Sequence, residues 1–224
     1  FFFFFKQKTA YEIRLSLVGS EMCIRDSNHP NYEWALRYDD LTGLQGAALM
    51  EIANQHPFVR NEGDRQHPPV EALWDRLLAA GKTFYGVASD DMHDLTGDPG
   101  YTPRRPSKGW IQVASDALGD TSLCSAISQG RFYSSTGVEL ESIAVTRGQM
   151  KLRIKLARGE RADQYRTEFI GKSGQRVGAV RATVTGVDPA YVPQGGEVYV
   201  RARVSGPGGK QAWVQPVETR VVAR

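Results

Sequence analysis

Tyr85-Gly86-Val87-Ala88-Ser89-Asp90-Asp91-Met92-His93 is the stretch on which the fold turns. An apolar, strand-like approach ends abruptly in two carboxylates and an imidazole. In an extended chain, side chains at i and i+2 share a face, so Asp91 and His93 can point at one spot. A carboxylate oxygen and an imidazole nitrogen converging where a strand ends suit a divalent metal such as zinc or manganese. The same residues also read as a polar turn with an aspartate capping the next element. The chain on either side bears on the choice.

Upstream, residues 83–88 form the short strand that leads into the turn. Residues 70–80 carry apolar side chains at helical spacing and stop at Gly81, a helix-end signal. Residues 46–52 read as a buried strand ending near Asn54. Strands alternating with helices indicate a parallel sheet or barrel, in which functional residues gather at the carboxyl ends of strands. Downstream, residues 94–108 are rich in Gly, Pro and Arg and read as a loop. Residues 110–114 are expected to be a last short strand. Residues 121–129 fit a helix with Asp120 as its N-cap and Gly130 at its end.

From about residue 140 the pattern changes to period two, as in Lys151-Leu152-Arg153-Ile154-Lys155-Leu156 and Glu197-Val198-Tyr199-Val200-Arg201-Ala202-Arg203-Val204. Turn signals such as Ser205-Gly206-Pro207-Gly208-Gly209 separate these runs. The expected organisation is an α/β unit over residues 28–137 and a small antiparallel β-sandwich over residues 138–224. The second unit has no His or Cys and no clustered carboxylates, which points to a structural or accessory role.

The chain of 224 residues is long enough for one large domain, or for one medium and one small. Its 41% apolar and 24% charged content is that of an ordinary globular protein, and a net charge of +3 gives no argument for nucleic acid. No apolar run reaches the roughly 18 residues of a membrane helix. Two cysteines do not suggest a disulfide framework, and localisation is not readable. Residues 1–27 stand apart: they open on five phenylalanines and show neither helical nor strand periodicity. Lys6-Gln7-Lys8-Thr9-Ala10-Tyr11 and the run from Ser16 to Ser27 resemble translated sequencing-adapter DNA. The segment is therefore set aside from fold reasoning and expected to be poorly ordered. On that reading, residues 28–224 are the C-terminal part of a longer protein.

Four histidines are present, His29, His56, His67 and His93. His29 sits in Asn28-His29-Pro30, where the following proline restricts it to extended geometry, suited to a strand-end ligand or to a plain loop. His56 and His67 also precede prolines, but in the polar stretch 54–69, which reads as a solvated loop.

Taken together, Asn28-His29-Pro30, Glu51-Ile52-Ala53-Asn54, the Asp91/His93 turn and Gly130-Arg131-Phe132-Tyr133-Ser134-Ser135-Thr136-Gly137 make residues 28–137 resemble part of a family. It is the polymerase-and-histidinol-phosphatase (PHP) metallohydrolases, in their carbaryl-hydrolase-like branch. The resemblance implies the C-terminal part of a distorted (β/α)7 barrel holding divalent metal ions (Zn, Mn or Fe) at its strand ends. It implies His29, Asp91 and His93 as metal ligands, with Asp90 as an alternative ligand or an acceptor for a ligand imidazole. Ser134, Ser135 and Thr136 would line a pocket, or equally make turn hydrogen bonds. Arg104 and Arg105 would meet an anionic substrate, or form an exposed basic loop.

The activity implied is metal-assisted hydrolysis of a small phosphoester, with an ester or carbamate as the variant substrate. The family's N-terminal His-x-His motif is absent from this chain, so the expected site is incomplete and the fragment inactive alone. The competing expectation is a non-catalytic binding or accessory protein. A third is a partial barrel too open to fold stably.

Overall fold

A computed structural model describes residues 26–44, 49–93, 106–146, 149–173 and 176–219. Three strands, β1 (Asp26–Ser27), β2 (Leu49–Asn54) and β3 (Tyr85–Ser89), form a parallel sheet in that order. Strand β1 lies in the segment set aside above. Helix α1 (Tyr38–Gly43) precedes β2, and α2 (Val70–Ala79) connects β2 to β3. All six residues of β2 are buried, so the run does not alternate, and its Glu51 and Asn54 are buried with the apolar residues. On α2, Val70, Leu73, Trp74, Leu77 and Leu78 form the buried stripe.

The remaining strands are β4 (Trp110–Val113), β5 (Phe132–Ser135), β6 (Glu139–Thr146), β7 (Gln149–Lys155), β8 (Arg166–Ser173), β9 (Arg176–Thr185), β10 (Ala190–Tyr191), β11 (Glu197–Ser205) and β12 (Gln211–Glu218). Helix α3 (Asp120–Ser128) lies between β4 and β5. These strands make two antiparallel sheets, β10-β7-β6 and β4-β5-β12-β11-β8-β9. The two sheets face each other across a core that includes Leu140, Leu152, Ile154, Phe169, Val200, Ala202, Val204 and Val214. No helix among the described residues is long and apolar enough to cross a membrane. Cys124 on α3 is disulfide-bonded.

The expected partial (β/α)7 barrel is overturned. The described residues are 43% strand and 18% helical, and parallel pairing among them stops after β3. The strand read as the barrel's last, β4, pairs antiparallel with β5 in the larger sheet. Alternating strand and helix signals fix the order of elements along the chain but not the direction or partner of each strand. The outer flank of β3 is met by side chains instead: Gln215 both donates to the Gly86 carbonyl and accepts from its N–H, each at 2.8 Å. Ser134 donates to the same carbonyl at 2.7 Å.

The six-stranded sheet therefore takes strands from both sides of residue 138, and its second face carries α2. Along β11, Val200, Ala202 and Val204 enter the sandwich core, while Tyr199, Arg201 and Arg203 alternate onto the helix side. Glu71 and Asp75 sit one turn apart on α2, about 6 Å by helical rise, and Arg201 and Arg203 are about 6.8 Å apart along the strand. The two spacings match, so the charges pair. Arg201 grips Asp75 with Nε and Nη2, both at 2.8 Å, and reaches Glu71 Oε2 at 2.9 Å. Arg203 reaches Glu71 Oε1 at 3.0 Å and Glu168 at 2.5 Å. Tyr199 donates to Asp75 at 2.7 Å, and Trp213 Nε1 to Glu71 at 2.9 Å. Gly178 on β9 has φ +66°, and a Cβ there would lie 2.6 Å from Asp75 Oδ2, so only glycine fits beside the network.

This clamp carries a pH dependence. Burial opposes ionisation of Glu71, but Arg201 and Arg203, with hydrogen bonds from Trp213 and Arg203, hold its carboxyl below the ordinary carboxylate range. A depressed folded-state value means that Glu71 contributes stability above its unfolded value near 4.5, lost as pH falls through the lower folded one. Thermal melts from neutral pH down to acid should show this loss in the wild type. In Glu71→Gln the acid limb should be shallower; an identical limb would refute the assignment.

Candidate functional site at the parallel strand ends

The carboxyl ends of β1, β2 and β3 bring together residues from three separate segments. Glu51, on β2, is their hub. Its carboxylate accepts the His29 backbone N–H at 2.5 Å, the Asn54 amide at 2.9 Å and the Ser89 hydroxyl. Asn54 also donates to Asp91 Oδ2 at 3.0 Å, and Asp91 Oδ1 lies 3.0 Å from His93 Nε2. His93 in turn packs near His56, with ring centroids 5.1 Å apart.

Two residues of this group, His29 with φ 30° and Asp91 with φ 45°, stand in the left-handed region, which non-glycine residues occupy at a cost. Such strain persists where surrounding contacts over-determine it, and the hydrogen bonds through Glu51 and Asn54 do so here. Asp91 and His93 thus meet through a kinked turn rather than along an extended strand.

The electrostatics follow from the crowding. Burial opposes ionisation of Asp91, but hydrogen bonds from Asn54 and His93 and the nearby imidazoles of His93 and His29 hold its carboxyl below the usual range. Asp26 is exposed as a residue, yet desolvation and the Glu51 carboxylate push its carboxyl up to about 7.

The other expected site residues lie apart from this cluster. Asp90 turns away from Asp91 and accepts three backbone N–H groups, from Ser107 at 2.6 Å, Lys108 at 2.5 Å and Gly109 at 2.8 Å, which ties the following loop down. Ser134 donates to Gly86 as described. Ser135 donates to the Val138 carbonyl at 2.6 Å, and Thr136 Oγ1 accepts the Gln211 N–H at 2.9 Å. These hydroxyls stitch strands together. Arg104 and Arg105 lie outside the described residues. His67 stacks on Trp34 at 3.9 Å and pairs with Asp64 at the surface.

Thr136 does border a cavity of about 460 Å3, between α2, the end of β2 and the six-stranded sheet. Its charged walls are Glu62, Glu71, Asp75, Arg76, Arg201 and Arg203, three acids and three bases, of which Glu71, Asp75, Arg201 and Arg203 pair with one another. The cavity is therefore already neutralised from within, whereas the strand-end cluster holds an excess of carboxylate.

No protein-family model matches the chain, and no curated protein or solved structure does. The chemistry of the site must speak for itself.

Glu51, Asn54, Ser89 and His56 are the residues that site prediction passed over. A glutamate inside the otherwise apolar run Leu49-Met50-Glu51-Ile52-Ala53 was the available signal, because a buried carboxylate needs partners. His56 gave none: its polar, proline-rich surroundings read as solvated, yet it is buried.

The donor set fits a divalent cation in kind, offering carboxylate oxygen and imidazole nitrogen at strand ends. It is an open set: among the described residues no three His, Cys, Asp or Glu side chains stand in a metal-holding group.

Proposed function

We propose that the strand-end cluster is part of a divalent-metal centre that hydrolyses a small phosphoester. The observation that carries the reading is the convergence of Glu51, Asp91 and His93 on one hydrogen-bonded network, with backbone strain at His29 and Asp91. A carboxylate oxygen beside an imidazole nitrogen is a donor set that a divalent cation takes. The reading does not require a closed barrel, since ligands also bind outside the carboxyl ends of strands in open parallel sheets.

When bound, a divalent metal supplies Lewis-acid polarisation of the phosphoryl oxygen and acidifies a bound water. Asp91 and His93 would hold it, His29 offering a third donor from the neighbouring segment. Glu51 orients the group by fixing the His29 backbone and the Asn54 amide. A complete site needs donors beyond those brought together among the described residues. An ester or carbamate would be activated by the same chemistry.

The test is calorimetric titration of the protein with Mn2+, alongside turnover of p-nitrophenyl phosphate in Mn2+. Asp91→Ala and His93→Ala are each expected to weaken Mn2+ binding by at least roughly tenfold, the lower end of what losing a mere supporting group costs. Unchanged affinity in both variants would sink the assignment.

One observation favours a second reading, a non-catalytic binding role. The Glu51 oxygens already accept three protein donors, so the network is satisfied without an ion. A wild-type protein that neither binds Mn2+ nor turns over the phosphoester would count against the metal centre and leave this second reading.

A further inference from the structure

We infer that Asn54 is a positioning residue, whose side-chain amide bridges the Glu51 and Asp91 carboxylates and so fixes Asp91 for the cation that Asp91 and His93 would hold. The inference rests on the metal-centre reading above, and the geometry behind it is independent of that reading. Asn54 is buried, at 3% exposure, where β2 ends. Its Nδ2 has two hydrogens and two acceptors, Glu51 Oε2 at 2.9 Å and Asp91 Oδ2 at 3.0 Å. Both acceptors belong to carboxylates, and the amide is neutral, so it can bridge them without cancelling the charge that attracts a cation.

The orientation of the amide is fixed from three directions. Asn54 Oδ1 accepts the His56 backbone N–H at 2.7 Å, which sets the oxygen on that side and turns Nδ2 toward the carboxylates. Its own backbone is clamped by Asn61: the Asn54 N–H donates to Asn61 Oδ1 at 3.1 Å, and Asn61 Nδ2 donates to the Asn54 carbonyl at 2.7 Å. The side chain therefore has little freedom, and the two carboxylates inherit its position. Holding Asp91 by Oδ2 leaves Oδ1 toward His93, the pair that would face the ion. Groups that orient metal ligands in this way typically matter nearly as much as the ligands.

Two measurements separate this inference from the reading beneath it. The first needs no metal. By NMR on the free protein, the Asn54 side-chain amide protons should exchange with solvent more slowly than those of a surface asparagine, and Asp91→Ala should speed that exchange. The second is Mn2+ titration. Asn54→Ala should weaken binding by roughly 10- to 100-fold in a protein whose far-ultraviolet circular dichroism remains that of the wild type, and Asn54→Ser, which keeps one donor, should restore part of the loss. A protected amide in a wild-type protein that binds no Mn2+ would overturn the metal reading and leave a purely structural bridge. Asn54→Ala binding Mn2+ as tightly as wild type, or an amide exchanging at the surface rate, would overturn the positioning role itself.

Discussion

Replacing Asp75 by alanine is expected to cost about 3–5 kcal/mol of folding stability, the range for removing one partner of a buried ion pair. Asp75 takes both Nε and Nη2 of Arg201 and the Tyr199 hydroxyl. Arg201 is 1% exposed, and its Nη1 has no hydrogen-bond partner among the described residues. Without Asp75, only Glu71 remains to balance a guanidinium that water cannot reach. The cost comes from a stranded charge, not from the pair's intrinsic worth. The double variant Asp75→Leu/Arg201→Met should therefore recover most of the loss, since buried pairs often exchange for apolar groups at little cost. Urea unfolding at neutral pH measures both, with the midpoint moving and the slope constant. A double variant as unstable as Asp75→Ala would contradict the account.

Trp74→Ala should cost a similar amount, about 3–5 kcal/mol, for a different reason. Trp74 is fully buried at the centre of the contact between α2, the parallel sheet and β11. Its indole N–H donates to the Phe84 carbonyl at 2.8 Å, so the truncation leaves a cavity and an unpaired acceptor. The Arg201 guanidinium lies 4.7 Å from its ring centroid, a desolvated cation–π contact. A double-mutant cycle with Arg201→Met should show coupling beyond about 0.5 kcal/mol, read from unfolding followed by far-ultraviolet circular dichroism. Additive losses would mean that the ring contributes bulk alone.

Local structure was largely legible. The helical spacing over residues 70–80 and the stop at Gly81 correspond to α2, and the strands around residues 46–54 and 83–88 to β2 and β3, because each element's own period announces it. Pairing was not. Trp110–Val113 reads as a strand from its own residues, but nothing within it states that its partner is Phe132–Ser135 running the other way. The alternation of β11 shows that Arg201 and Arg203 share a face, and a charged face ordinarily means water. What covers it is α2, whose Glu71 and Asp75 lie more than 120 residues earlier and carry the opposite charge at a matching pitch. Long-range complementarity of this kind has no local signature.

The site was half legible for the same reason. Asp91 and His93 are close in sequence, and their side chains meet at 3.0 Å. Glu51 and Asn54 belong with them only because β2 and β3 pair in parallel, Asn54 opposite Ser89. That register is a property of the sheet. Asp90 shows the converse limit: adjacent carboxylates look equivalent in sequence, and their backbones turn them to different work.

The place of β12 has a consequence for how the chain is made. This strand is the last along the described chain, yet it lies inside the six-stranded sheet, between β5 and β11. On the ribosome, β5 emerges long before the strand that will cover its flank, and Ser134 must wait for Trp213. Until then the nascent chain holds two half-sheets with unpaired edges, the condition that invites mispairing and aggregation. Closure waits for β12, and it unites the two halves through contacts distant in sequence, which are slow to form. The sheet behaves like a zip whose slider is threaded last.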